Sequence, residues 1–357
     1  MTLRLALIAD DLTGALDTAV PFAMAGLETV VALDVDHLHK AIASGAEVVA
    51  VATESRAVGA ETAARIVRRA AKLFRPHAPG MVFKKVDSRL KGNVGAESAA
   101  IAEVFGLSQA LVSPAVPDQG RFVVSGSVTG RGVAEPIAVS PVFEGSGLAV
   151  TVEDAADDSD LDRIAGRIGL THGRLLVGAR GLGAALARQW RKTDRPAAFR
   201  PSRASLLAIG SRDPITAAQV ERLRRLRPEV MIADAPAGRV PSSKTGFLPA
   251  VLRCCGEMTE DPADVAERFA KGVRRWLDDR GAETLLASGG DTALSILRGF
   301  GVGWVRPGGE VAAGMPWMTV TLPLGKNLCV VVKSGGFGND DVLAALLPAP
   351  ALRALGG

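Results

Sequence analysis

Two adjacent carboxylates, Asp10 and Asp11, follow the apolar run Leu3–Ala9 and open onto Leu12-Thr13-Gly14-Ala15-Leu16-Asp17. Residues just past a buried strand stand where open α/β sheets bind their ligands. A single acid there reads equally well as a helix N-cap, supplied by Asp11 or Thr13. Two together repel each other and need a cation, a polyol or a shared proton between them, which is the chemistry of a polar small-molecule site. Further strand ends carry Thr53-Glu54-Ser55-Arg56 and Lys84-Lys85-Val86-Asp87-Ser88-Arg89-Leu90-Lys91-Gly92-Asn93-Val94-Gly95. The second loop is dense in groups that bind hydroxyls and anions, with arginine as a bidentate fork for carboxylate and lysine as a point charge for phosphate. A solvated polar loop is the alternative, but Gly92 and Gly95 imply tight backbone geometry that such a loop does not need. Pro117-Asp118-Gln119-Gly120-Arg121 adds a weaker cationic loop.

Three glycine loops recur in the second half: Gly210-Ser211-Arg212-Asp213, Ser288-Gly289-Gly290-Asp291-Thr292, and Lys333-Ser334-Gly335-Gly336-Phe337-Gly338-Asn339-Asp340. Each follows an apolar strand and precedes a helix, so backbone N–H groups and a helix N-terminus face any phosphate brought there. One such loop is an ordinary βα turn, whereas three together are better explained by a shared nucleotide phosphate site. Neither G-x-x-x-x-G-K-[ST] nor an intact G-x-G-x-x-G opens a helix, which excludes a P-loop ATPase and counts against a Rossmann dehydrogenase. His37, His39, His77 and His172 are scattered, and Cys254, Cys255 and Cys329 form neither a disulfide framework nor a C-x-x-C pair.

The elements that must position these loops are short apolar runs alternating with amphipathic stretches. Leu3–Ala9, Val48–Ala52, Met81–Phe83, Ala110–Val112 and Leu175–Val177 read as buried strands, and Gly59–Phe74 as a helix with Ile66, Val67, Ala70, Leu73 and Phe74 on one face. Residues 120–159 favour hairpins, and Lys192–Arg203, KTDRPAAFRPSR, has the composition of a linker. Alternation then restarts with strands at Leu206–Ile209, Val230–Ala233, Thr284–Ala287 and Leu328–Val332. Helices at Ile215–Leu226, Pro262–Asp279, Thr292–Phe300 and from Asp341 accompany them. The expectation is an α/β fold: two α/β domains, 1–195 and 205–357, with mostly parallel sheets and a substrate cleft between them.

The 357 residues are 48% hydrophobic and 22% charged, as a globular chain should be. Lys and Arg number 42 against 38 Asp and Glu, with no basic tract, 4% aromatics and no Tyr, which argues against nucleic acid as a partner. No apolar run reaches the roughly 18 residues of a membrane helix, and the first is too short for a secretory leader. With its sparse cysteines, the chain reads as cytoplasmic, without a membrane partner; a homodimer is the default assembly.

Taken in order, these motifs resemble the four-carbon acid sugar kinase family. Ala9–Asp17 is similar to its A-D-D-x-T-G-A-x-D, Thr53–Arg56 to T-x-S-R, Lys84–Gly95 to K-K-x-D-S-x-L-R-G-N-x-G, and Pro117–Arg121 to P-x-x-G-R. Gly210 and Ser211 with Gln219, Gly289–Ala293 (G-G-[DE]-T-A) and Lys333–Gly338 (K-S-G-x-F-G) complete the set. The resemblance implies an N-terminal sugar-acid domain, a C-terminal ATP domain, and ATP-dependent phosphorylation of a terminal hydroxyl. It places Asp10, Asp11, Arg56, Lys85, Asp87, Ser88 and Arg121 in the sugar-acid pocket, and Ser211, Ser288, Gly289, Gly290, Asp291, Thr292, Gly335 and Gly336 around ATP. On this basis Arg56 clamps the substrate carboxylate and Lys85 meets the γ-phosphate. Asp11 or Asp87 takes the hydroxyl proton, and Mg²⁺ bridges the phosphates. The loop departs from the family at Arg89 and Lys91, which adds a cation to the substrate wall and removes a fork. The chain is also shorter than typical members around 120–159 and before Asp261. A catalytically inactive sensor of sugar acid and nucleotide, and an NAD-dependent oxidoreductase, are the competing functions.

Overall fold

Five wholly buried apolar residues, Leu5-Ala6-Leu7-Ile8-Ala9, form strand β1 inside the first sheet of a computed structural model. A run without a polar face is what a parallel strand covered by helices on both sides requires. The structure describes residues 2–168, 173–192, 198–257, 259–322 and 325–348, so His172 and linker residues 193–197 lie outside the described residues. Two units result, Met1–Ala197 with Gly303–Gly309, and Ala198–Val302 with Glu310–Gly357.

In the first unit, β1 (Leu5–Ala9) leads into α1 (Leu12–Met24), β2 (Thr29–Ala32), α2 (Leu38–Ala43), β3 (Val48–Ala52), α3 (Ala60–Phe74), β4 (Met81–Lys85), α4 (Val94–Phe105) and β5 (Gln109–Ser113). The region 121–138 forms a small antiparallel sheet of β6 (Arg121–Val124), β7 (Ser127–Gly130) and β8 (Ile137–Ala138). It is followed by β9 (Ala149–Val152), α5 (Asp158–Ile168), β10 (Arg174–Gly178) and α6 (Arg180–Gln189). The main sheet runs β2-β3-β1-β4-β10-β5-β9, every neighbouring pair parallel. A short strand, Trp304–Val305, closes the outer edge of β2 in antiparallel register. Thus the hairpins expected over 120–159 form, except that β9 joins the parallel sheet. On α3 the buried face is Ala63, Val67, Ala70, Ala71 and Phe74, with Ile66 and Leu73 only half covered.

The second unit contains β11 (Ser205–Ile209), α7 (Pro214–Leu226), β12 (Met231–Pro236), β13 (Ala250–Cys255), α8 (Pro262–Arg280), β14 (Thr284–Ser288) and α9 (Gly290–Gly299). After β15 (Trp304–Val305), which belongs to the first sheet, come β16 (Pro307–Ala312), β17 (Met315–Thr321), β18 (Asn327–Lys333) and α10 (Val342–Ala345). Its sheet runs β12-β13-β11-β14-β18-β17-β16, parallel from β12 to β18 and antiparallel between β18 and β17. Strands β13, β16 and β17 escape the sequence reading because Arg253 interrupts the first and the others have weak apolar patterns. Among the described residues no helix is long and apolar enough to cross a membrane.

Successive strand residues point to opposite faces, so the two lysines ending β4 part company. Lys84 enters the core beneath α4, where its ammonium pairs with Glu97 and both side chains are 1% exposed. Glu97 accepts from Ser55 Oγ at 2.7 Å, Thr53 donates to the Ala9 carbonyl at 2.8 Å, and the two hydroxyl oxygens lie 2.7 Å apart. This chain ties the ends of β1, β3 and β4 to α4. Removing one partner of a buried ion pair strands the other, at a cost of about 3–5 kcal/mol. Glu97→Gln should lower the denaturation midpoint accordingly, and Lys84→Met combined with Glu97→Leu should recover most of the loss. An unchanged midpoint in Glu97→Gln would show that the pair is dispensable.

Candidate functional site

Because β1 lies between β3 and β4, the loops after these three strands share one edge of the first sheet. Asp10 is buried and accepts both Arg56 Nε at 2.7 Å and Arg56 Nη2 at 2.9 Å, while Arg56 Nη1 reaches Asp11 Oδ2 at 2.8 Å. Arg56 is therefore the cation that lets two strand-tip acids coexist. Burial alone would push the Asp10 carboxyl up, but Lys84, Arg56 and Lys85 outweigh it and hold the group below its ordinary value. Burial works against the Arg56 charge, and the hydrogen bond to Asp10 with the charges of Asp11, Asp10 and Asp87 more than restores it. Asp11 also caps α1, accepting from Gly14 N at 2.8 Å and from Thr13 Oγ1 at 2.9 Å. Capping and the ion pair with Arg56 thus fall on the same residue. Gly92, at φ +94°, lets the 87–93 loop pass against Asp10 and Arg56: a Cβ there would stand 3.3 Å from Asp10 Oδ2 and from Arg56 Cγ.

Lys85 takes the α1 side of the sheet, its Nζ 4.0 Å from Asp17 Oδ1 and beside the first turn of the helix. Asp87 is half-buried and accepts the Arg89 backbone N–H at 2.9 Å. Ser88 is buried and accepts Arg121 Nη1 at 2.8 Å, which brings the 117–121 loop onto the 87–93 loop. Arg180, at the start of α6, pairs with Asp118 and secures the same loop from the end of β10. Asp10, Asp11, Arg56, Lys85, Asp87, Ser88, Arg89 and Arg121 accordingly all lie at the strand-end loops of the first unit. The sequence motifs do not single out Arg180 or the Lys84–Glu97 pair, although a Glu inside the alanine-rich α4 is a visible signal.

In the second unit β11, β14 and β18 are neighbours, so the three glycine loops stand side by side. Gly210 N and Ser211 N donate to the Ser288 carbonyl at 3.0 and 2.9 Å, and Gly289 N donates to the Lys333 carbonyl at 2.9 Å. Gly335 lies so close to Ser211 that any Cβ would collide with its Oγ, which only glycine avoids. Gly290 begins α9, Asp291 is exposed in its first turn, Thr292 is buried against Gly210, and Gly336 faces Asp213. Ser288 Oγ is buried without a hydrogen-bond partner among the described residues. Beneath the 334–339 loop, Lys333 Nζ donates to the Ser334 and Gly335 carbonyls at 3.2 and 3.0 Å and to Thr216 Oγ1 at 3.0 Å. Thr216 itself donates to the Gly335 carbonyl at 2.7 Å. Gln219 Nε2 lies within 2.9–3.1 Å of the carbonyls of Phe337, Gly338 and Asn339. These bonds tie the loop's carbonyls inward, and the Phe337 amide closes the turn on the Ser334 carbonyl at 3.2 Å. Burial brings the Lys333 ammonium down to about 8, against the opposing charge of Asp213. Among the described residues no group of three or more His, Cys, Asp or Glu gathers to hold a metal ion.

Asp17 offers a direct test of the electrostatics. Burial lifts its carboxyl to about 6, with Lys85 and the Thr18 hydroxyl pulling the other way. A folded-state value above the unfolded one means that the folded chain holds this proton more tightly, so stability falls as pH rises from about 4 to about 6. Asp17→Asn should be more stable than the native chain near pH 7, by up to about 3 kcal/mol, and no more stable below about pH 4. Denaturant midpoints at the two pH values decide the matter, and an equal offset at both would refute the raised pKa of Asp17.

Family models agree with this division of labour. Residues 5–144 match a sugar-binding N-terminal domain, and residues 251–343 match a nucleotide-binding C-terminal domain. The chain is 33% identical to a D-threonate kinase of Bordetella bronchiseptica, over 94% of this chain and 95% of that one. It is 27% identical to a 3-oxo-tetronate kinase of Methylobacterium radiotolerans, over 97% and 99% of the two chains. A D-erythronate kinase of Heliobacterium modesticaldum is 40% identical over 34% of this chain and 28% of its own length. In fold, the chain is similar to a Salmonella typhimurium LT2 protein known from its crystal structure under the name of a tRNA synthase. The TM-score is 0.74 at 19% identity, over 96% of this chain and 98% of that one. Because the similarity to the threonate kinase runs the length of both proteins, the chain belongs to the four-carbon acid sugar kinase family.

Proposed function

We propose that the protein transfers the γ-phosphoryl group of ATP to the terminal hydroxyl of a small, four-carbon acid sugar such as threonate, erythronate or 3-oxo-tetronate. The observation that carries this is the presence, in one chain, of a strand-tip bed of paired charges and of three hydrogen-bonded glycine loops with inward-tied carbonyls. The names of the similar kinases support the same choice of acceptor and donor. Free Cys254, Cys255 and Cys329 suit the reducing cytoplasm.

In this reading Asp10, Arg56, Ser88, Arg89 and Arg121 line the acceptor pocket. Ser211, Ser288, Gly289, Gly290, Thr292, Gly335 and Gly336 form the bed for the nucleotide phosphates. Lys85, poised at the N-terminal turn of α1, neutralises charge on the transferring group. Asp11 accepts the hydroxyl proton; its side chain is 18% exposed where that of Asp10 is 3% exposed. Asp87 is the second candidate for that proton. Mg²⁺ is held in phosphotransfer sites by one or two carboxylates plus the phosphates, so the absence of a carboxylate cluster among the described residues does not oppose it. Exposed Asp291, in the first turn of α9, fits that requirement and would hold the ion. Bound there, it would neutralise phosphate charge.

ADP release with ATP and Mg²⁺ across four- and five-carbon sugar acids and their 3-oxo forms tests the function; silence in protein that binds no ATP would overturn it. Asn caps a helix as well as Asp does, so Asp11→Asn keeps α1 intact. It should nevertheless lower kcat by about 10²-fold or more, the range for a general base. Near-normal turnover would transfer that role to Asp87. Gln219→Leu leaves three loop carbonyls unsupported and should weaken ATP binding roughly 10-fold in titration calorimetry. Unchanged affinity would mean that the loop holds its shape without that brace.

A further inference from the structure

Arg56 has its guanidinium committed on three nitrogens to Asp10 and Asp11. The other arginines of the first unit's loops are differently placed. Arg121 donates through Nη1 to Ser88 Oγ and to Gln119 Oε1 at 2.8 and 2.9 Å, and through Nε to the Arg131 carbonyl at 3.1 Å. All three acceptors are neutral, so its plane is fixed while no hydrogen-bonded partner of its side chain carries a negative charge. Arg89 follows Ser88 directly. Its side chain makes no ion pair or hydrogen bond among the described residues, and its Nε is buried without an acceptor. The turn after β7 closes on it, since a Cβ at Gly132 would stand 3.7 Å from Arg89 Nη1. Burial, then the charges of Arg89 and Arg131, push the Arg121 guanidinium below its usual value, against the attraction of Asp87 and Asp118. Two half-buried guanidiniums within Coulombic range, one with an unsatisfied buried N–H, are a site waiting for an anion.

We infer that Arg89 and Arg121 receive the carboxylate of the acid sugar, and that Arg56 serves instead as the internal counter-ion of Asp10 and Asp11. The inference rests on the kinase reading above and deepens it. A carboxylate offers two coplanar oxygens to the forks and quenches the repulsion between them. A neutral polyol offers neither, so the pair selects acids over the corresponding alcohols.

The test compares native protein with Arg89→Met and Arg89→Lys, using D-threonate, D-erythronate and 3-oxo-tetronate beside the uncharged tetritols. In the native protein the acid that is turned over should raise the melting temperature, and its tetritol should not. Arg89→Met should raise KM for the acid roughly 10- to 100-fold, the loss of a charge-assisted pair, while kcat and KM for ATP move far less. Without ligand, the same variant should melt higher than the native protein, because a like-charge contact is gone, and it should lose the acid-induced shift. Arg89→Lys, which keeps the charge without the fork, should fall between the two and remains informative if Arg89→Met folds poorly. Native turnover of an acid together with unchanged KM in both variants overturns the subsite and leaves the kinase standing. A native protein inert towards every acid overturns the kinase reading and the subsite together.

Discussion

Two carboxylates side by side at the tip of a buried strand repel each other, and a cation held against both relieves that repulsion. Arg56 does so from the neighbouring strand end, bridging Asp10 and Asp11. Much of the first unit's loop structure serves to keep it there. Thr53 and Ser55, just before Arg56, are fastened to the Ala9 carbonyl and to Glu97, and Glu97 in turn is fixed by Lys84. Gly92 permits the next loop to pass over the ion triad. The result is a charged floor whose geometry is set before any ligand arrives, the condition under which polar groups contribute most to recognition and catalysis.

In the second unit the groups under the 334–339 loop are one lysine and two neutral side chains. An anion-binding loop must present amides, so its carbonyls must be satisfied elsewhere. Lys333, Thr216 and Gln219 take up those carbonyls from below. The lysine here supports the loop from the core, whereas the lysine of a P-loop reaches the phosphates directly. That difference in placement goes with the absence of a G-x-x-x-x-G-K-[ST] signature from these loops.

Much of this is legible in the sequence. Runs such as Val48–Ala52 and Thr284–Ala287 are short, wholly apolar and punctuated by polar loops, and β3 and β14 lie where they indicate. The motif loops can be assigned to strand ends because chain direction puts the residues after a buried strand at its carboxyl end. Less visible is anything that depends on pairing across distance. Nothing local distinguishes Lys84 from Lys85, yet the pleat sends one into the core and the other to the site. Nor does the order of residues reveal that the Arg56 fork turns inward to two aspartates, or that the Arg89 side chain finds no partner among the described residues. Strand β13 is hidden because Arg253 breaks its apolar run, although that arginine aligns with Asp234 across the sheet.

The short strand Trp304–Val305 has an architectural consequence. It is encoded more than 100 residues after the first unit's other strands, yet it covers the open edge of β2. A fragment ending at residue 197 would therefore leave β2 with unpaired amides and carbonyls, the template on which sheets join edge to edge. The sugar-binding half is thus not a transferable cassette: shuffling it onto another nucleotide-binding partner requires carrying the 303–309 segment with it.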